Sequence, residues 1–115
     1  MLHNSEFWDD LAIESYRAIL KRKPDSAIVH KNLGLAYMRR GRDNKAVRSF
    51  QRAVKCDQDF AEAYYHLGTA CNRLGRTKEA VRAFKHYKQL MDEAKGESPV
   101  VSDLLAKLKA ESKSS

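Results

Sequence analysis

Residues 30–50 read HKNLGLAYMRRGRDNKAVRSF, and residues 64–84 read YYHLGTACNRLGRTKEAVRAF. The two stretches are one pattern written twice. Leu33-Gly34 returns as Leu67-Gly68, Gly41 as Gly75, Ala46 as Ala80 and Phe50 as Phe84, each at a step of 34. The repeated region extends from Ala27 to Asp92. A fixed period of this length marks stacked supersecondary units, none of which buries its apolar face alone.

Within each unit the apolar spacing is helical. His30, Leu33, Gly34 and Tyr37 stand at i, i+3, i+4 and i+7, as do Tyr64, Leu67, Gly68 and Cys71, which places each set on one helical face. A glycine inside a helix costs about 1 kcal/mol relative to alanine. Gly34 and Gly68 are therefore expected where a second helix comes close, with Phe50 and Phe84 filling the space beside them. Ala46 and Ala80 serve the same approach from the other side. Gly41 and Gly75 are placed to end the first helix of each pair. Asp43 and Thr77 are expected to cap the second helices, and Asp59 with Glu62 reads as a capping box. The predicted helices run from Ala27 to Arg40, Asn44 to Cys56, Phe60 to Leu74 and Lys78 to about Lys95.

These linked spacings resemble the tetratricopeptide repeat (TPR) family, whose unit is W-x2-L-G-x2-Y, then A-x3-F, then a closing proline. His30 occupies the tryptophan place, Cys71 stands where the first unit has Tyr37, and Gln58 and Asp92 replace the closing proline. The resemblance implies an all-α fold, a right-handed superhelical stack of antiparallel helix pairs. Stepping back 34 from Asp43, Ala46 and Phe50 reaches Asp9, Ala12 and Tyr16. The amino-terminal segment thus reads as a second helix without its first, starting near Asn4 or Ser5, with Pro24 at the closing-proline place. Beyond Gly96, Ser98 and Pro99 suit a new helix start. Val101, Leu104, Leu105 and Leu108 then share a face, and Val101, Ser102 and Leu105 lie 34 beyond Leu67, Gly68 and Cys71. The expected organisation is a single domain over residues 1–115: a half repeat 1–24, repeat one 27–60, repeat two 61–94 and a capping helix 98–112.

Composition narrows the function. The 115 residues carry a formal net charge of +7, with 5 Gly, 2 Pro and 2 Cys. No apolar run approaches membrane-spanning length. Residues 1–6 lack the features of a signal peptide. Cys56 and Cys71 form no disulfide framework, so a reduced, cytoplasmic protein is expected. His3, His30, His66 and His86 have no partners at metal-ligand spacing, and no glycine-rich phosphate loop follows a strand. No metal, cofactor or catalytic site is expected, and His30 reads as a packed core histidine.

What remains is surface. In the family that the repeat resembles, the first helices line a concave groove. Candidate peptide-binding residues there are Lys31, Asn32, Leu35 and Arg39, with Glu62, Tyr65, His66, Thr69 and Arg73. Their cations suit an acidic or C-terminal segment of a protein partner. Some family members clamp chaperone carboxylates with two Lys, two Asn and an Arg. Lys31 matches the first Lys, but Leu35 and His66 stand in the Asn places and the third unit is absent, which argues against that clamp. The second helices carry a basic stripe of Lys45, Arg48, Arg52 and Lys55, continued by Lys78, Arg82 and Lys85. Without interleaved aromatics the stripe argues against a nucleic-acid partner, although a basic face can attract polyanions. Leu2, Phe7, Trp8 and Leu11 form an apolar cluster at the open amino-terminal end, a candidate oligomer interface. The reading is a protein-interaction adaptor. Self-assembly through the open end and polyanion or RNA binding through the convex face are the alternatives.

Overall fold

The computed structural model describes residues 5–95 and 99–114, all but the turns between elements being helical. The expected roles of Leu2, Ser98, Val101 and Leu105 fall on positions or side chains outside that description. The elements are α1 (Ser5–Arg22), α2 (Ala27–Arg39), α3 (Asp43–Cys56), α4 (Ala61–Arg73), α5 (Thr77–Ala94) and α6 (Pro99–Ser114).

Each of the first five helices packs on its neighbour in sequence, and α2 also touches α4. The first helices of the two repeats therefore stand side by side as an inner row. The second helices α1, α3 and α5 form a more widely spaced outer row. Close approach depends on small residues. Ala36, Ala46, Ala53, Ala63, Ala70 and Cys71 are fully buried, and Phe50 is the largest fully buried side chain. A Cβ placed on Gly34 would lie 2.5–2.8 Å from the Phe50 ring, and one on Gly68 would lie 2.6–2.8 Å from the Phe84 ring. Each glycine is thus the floor on which an aromatic of the partner helix sits, as the sequence predicts.

The turns explain the other glycines. Gly41 and Gly75 have φ of 71° and 76°, in the left-handed region that glycine enters without steric cost. Gly41 N–H donates to the Met38 carbonyl at 2.9 Å and Arg42 N–H to the Tyr37 carbonyl at 2.8 Å. The Asn72 and Cys71 carbonyls accept from Gly75 and Arg76 in the same way. Both helices close with the paired bonds of a Schellman motif.

The start of α2 is capped as the sequence suggests, by Asp25 or Ser26, and the later starts differ from expectation. Ser26 caps α2 by accepting from Val29 N–H at 3.4 Å. Arg42 and Arg76, not Asp43 and Thr77, hold the cap positions of α3 and α5, and neither makes a side-chain cap bond. Asp43 instead reaches Arg73 at 3.3 Å. The Asp59–Glu62 capping box does not form: Phe60 is the cap of α4. The Glu62 carboxylate is taken by Lys31, and Asp59 N–H turns back onto Asp57. In both cases a long-range ion pair outcompetes a local cap.

The capping role expected of α6 rests on Val101, Leu104, Leu105 and Leu108. Val101 and Leu105 lie outside the described side chains, and Leu104 and Leu108 are 55% and 60% exposed among the described residues. α5 runs long: it continues to Ala94, whereas the repeat step from the end of α3 would stop it at Leu90. Val81 and Met91 on α5 are left exposed.

A candidate peptide groove on the inner helices

The inner row displays the predicted groove residues on α2 and α4. Ile28, Asn32 and Leu35 follow one another at i, i+4 and i+7 on α2. On α4, Glu62, His66, Thr69 and Arg73 stand at i, i+4, i+7 and i+11, and Tyr65 lies beside them. Lys31 of α2 donates to the Glu62 carboxylate of α4 at 3.0 Å. This bond ties the two inner helices together and holds Glu62 below the usual carboxylate range.

Rings support the α4 side. His66 stacks on Phe50 with centroids 5.6 Å apart and meets Tyr65 edge-on at the same separation. Tyr65 also leans on Phe84 at 5.8 Å and Tyr87 at 5.3 Å. Burial lowers the His66 pKa; Glu62 opposes that shift and Lys31 adds to it. His66 is therefore neutral near pH 7. Tyr65 remains 47% exposed, an aromatic surface fixed from behind by three other rings. Thr69 turns its hydroxyl to the Tyr65 carbonyl at 3.1 Å.

The predicted cations are all engaged within the chain. Arg39 donates to the buried Asp9 of α1, 2.7 Å away, and Arg73 pairs with Asp43. These two pairs are one device repeated, since Asp9 to Asp43 and Arg39 to Arg73 are both steps of 34. Arg39 and Arg73 thus fasten each inner helix to the preceding outer helix. Sequence reasoning missed this role, and the repeat step that relates the two pairs was the available signal. It also missed Ile28, which is 62% exposed and stands 34 before Glu62, at the head of the inner face of α2. His30 behaves as predicted: it is buried and its Nε2 donates to the Pro24 carbonyl at 2.7 Å.

Among the described residues no cluster of His, Cys, Asp and Glu could hold a metal. No helix of the described chain is long and apolar enough to cross a membrane. At the outer end, Phe7 and Trp8 are each 58% exposed and meet edge-on at 5.2 Å, and Leu11 is exposed beside them.

Stacked helix pairs with this glycine and aromatic register define a class of helical-repeat interaction domain. The family model for the TPR repeat matches residues 35–75, and that for the tetratricopeptide repeat matches residues 61–90. The two matches together span residues 35–90, so the chain carries tetratricopeptide repeats and has the fold of a protein-interaction module. Among solved structures, it is similar to the second TPR of Spaghetti (RPAP3) bound to the HSP90 peptide SRMEEVD. The TM-score is 0.69 at 26% identity over 71% of this chain and 76% of that one. It is also similar to MamA, with a TM-score of 0.74 at 24% identity over 76% of this chain. A MamA double mutant (RS-1 ArsTM) gives 0.73 at 27% identity over 79%. The matched region spans about half the length of the MamA chains, 52% and 50%. A comparison with curated proteins gives no match.

Proposed function

We propose that the inner face of α2 and α4 binds a short extended segment of a protein partner, acidic or ending in a free carboxylate. The observation that carries this reading is Tyr65, held exposed on a stack of rings, with Ile28 exposed on the other inner helix. A preorganised aromatic surface needs no ordering when a ligand arrives. Asn32 supplies donors and an acceptor for peptide backbone. Lys31, Arg39 and Arg73 supply positive charge. The Glu62 carboxylate that Lys31 now holds is exposed, and surface ion pairs contribute only about 0–1 kcal/mol, so a ligand carboxylate can take its place; Arg39 and Arg73 stay on the more buried Asp9 and Asp43 and lend their charge from there. The RPAP3 domain, whose fold this chain shares, holds a peptide ending in Glu-Glu-Val-Asp. Leu35 and His66 replace two amides of the carboxylate clamp, which favours a segment with an apolar residue at that point.

Two units make a short groove, and the expected affinity is micromolar, about −8 kcal/mol. The test is selection of heptapeptides with free carboxyl ends, followed by titration. The Asn32→Ala/Leu35→Glu double variant should lose the selected peptides while keeping its helicity. A variant with Arg48, Arg52, Arg82 and Lys85 changed to Glu should keep them. The reverse pattern would move binding to the outer face.

The exposed Phe7–Trp8–Leu11 cluster favours a second activity, self-association through the amino-terminal end, which would make the chain a scaffold as well as an adaptor. A cytoplasmic location fits its two free cysteines, one of them exposed.

A further inference from the structure

The outer row is not uniform. Between α1 and α3, over α2, lies a cleft of about 440 Å³ lined by Arg17, Lys21, Lys45, Arg48 and Arg52, with no acidic residue in its lining. Among the described residues none of these five cations forms an ion pair. On the inner face, by contrast, Lys31, Arg39 and Arg73 each hold a carboxylate. Arg17 and Lys21 are spaced i, i+4, and so are Arg48 and Arg52. Like charges at that spacing weaken a helix. The chain therefore concentrates unneutralised charge in a concavity, where low-dielectric walls focus the field.

The second repeat serves as an internal control. The matching cleft between α3 and α5 has about 200 Å³ and is lined by Gln51, Glu79, Arg82 and His86, among others. Each is one step of 34 beyond Arg17, Lys45, Arg48 and Arg52. The backbone geometry recurs and the charge does not, so the basic lining is a property of these side chains and not of the repeat.

We propose that the α1–α3 cleft binds a compact polyphosphorylated molecule, with two or more phosphate groups on a small frame. Guanidinium forks match phosphate oxygens two at a time, and Arg17, Arg48 and Arg52 present three of them from two walls. Ser49, buried at the base, adds a hydroxyl donor. The volume lies in the small-molecule range of roughly 300–1,000 Å³. Nucleic acid fits poorly, because the ring in the floor, Tyr37, is buried and already faces the Lys45 ammonium at 5.7 Å. No open aromatic in the cleft offers a base a stacking platform.

Calorimetric titration of the full chain with inorganic tripolyphosphate at physiological ionic strength tests this. One molecule should bind per chain. Arg48→Gln/Arg52→Gln should weaken binding roughly tenfold or more, because charge-assisted forks are lost. Lys78→Gln/Lys85→Gln removes equal charge from α5 and should change it by no more than about twofold. Tripolyphosphate should also raise the melting temperature of the wild type and not that of the cleft variant. Sedimentation with vesicles containing phosphatidylinositol bisphosphate separates the sources. Capture of the wild type and not of the cleft variant assigns the phosphates to a lipid headgroup. Tripolyphosphate binding without capture assigns them to a soluble ligand, and the site stands in both cases. Equal weakening in both variants, heat without saturation, or RNA binding that tripolyphosphate does not displace would overturn the proposal.

Discussion

Gly68 is the residue on which the second repeat closes, because the Phe84 ring occupies the space a Cβ would need. A leucine there must push that ring out of a packed core, and overpacking costs about 1–3 kcal/mol or more. Chemical denaturation of Gly68→Leu should show that loss, and an unchanged midpoint would mean that the glycine is not a packing position. The thiols should separate as sharply. Cys71 is fully buried, its pKa raised first by burial and then by Glu79, 3.9 Å away, whereas Cys56 is exposed. Alkylation of the native chain should therefore label Cys56 alone, with Cys71 reacting only in denaturant. His66 sets a pH dependence. Its folded pKa lies below its ordinary value of 6.5, so the unfolded chain binds the proton first. The stability that this residue contributes is present above pH 6.5 and is lost as the pH falls from there through its folded pKa. Thermal melts between neutral and mildly acid pH should decline, and His66→Gln should flatten the decline.

At the scale of elements, the repeated Asp–Arg pair shows what a local reading of sequence leaves out. Helix periodicity, turn glycines and the glycine–aromatic register were legible because each rests on spacing along the chain. The fate of Asp43, Glu62, Arg39 and Arg73 was not, because N-capping is a local rule and these side chains bond across helices instead. Asp9 is buried apart from its bond to Arg39. Arg39→Met should therefore leave a carboxylate unsatisfied and cost about 1–3 kcal/mol. Adding Asp9→Asn should recover part of the loss in a double-mutant cycle, and simple additivity would remove the coupling. The α6 helix was legible as an element from Pro99 and the apolar spacing after it, and its Leu104 and Leu108 are exposed. Ending the chain after Lys95 should leave the denaturation midpoint nearly unchanged, within about 0.5 kcal/mol. A loss of roughly 1.5–3 kcal/mol for each buried leucine would show instead that α6 docks.

For the whole molecule, the decisive asymmetry among the described residues is that the first helix is an outer one. In α3, Ser49 and Ala53 are buried. Their counterparts one step of 34 earlier are Ser15 and Ile19 of α1, and both are exposed. The covering that α2 gives α3 has no equivalent on that side of α1 among the described residues. Trp8, Leu11, Ser15 and Ile19 run at i, i+3, i+7 and i+11 as one stripe along the uncovered side. Phe7 packs edge-on to Trp8 at its head. A stripe of this kind is where a second copy would recover burial, at about 1.5–3 kcal/mol for each large side chain removed from water. Two copies related by a twofold axis would set the same stripe against itself. Sedimentation equilibrium should then show a concentration-dependent dimer, with Trp8 emission moving to shorter wavelength as the dimer forms. The Trp8→Lys/Leu11→Lys variant should stay monomeric with unchanged helicity, because neither side chain is part of the buried core. A monomer mass across the whole concentration range, with constant Trp8 emission, would leave the stripe as plain exposed surface and the adaptor groove as the interaction face that remains.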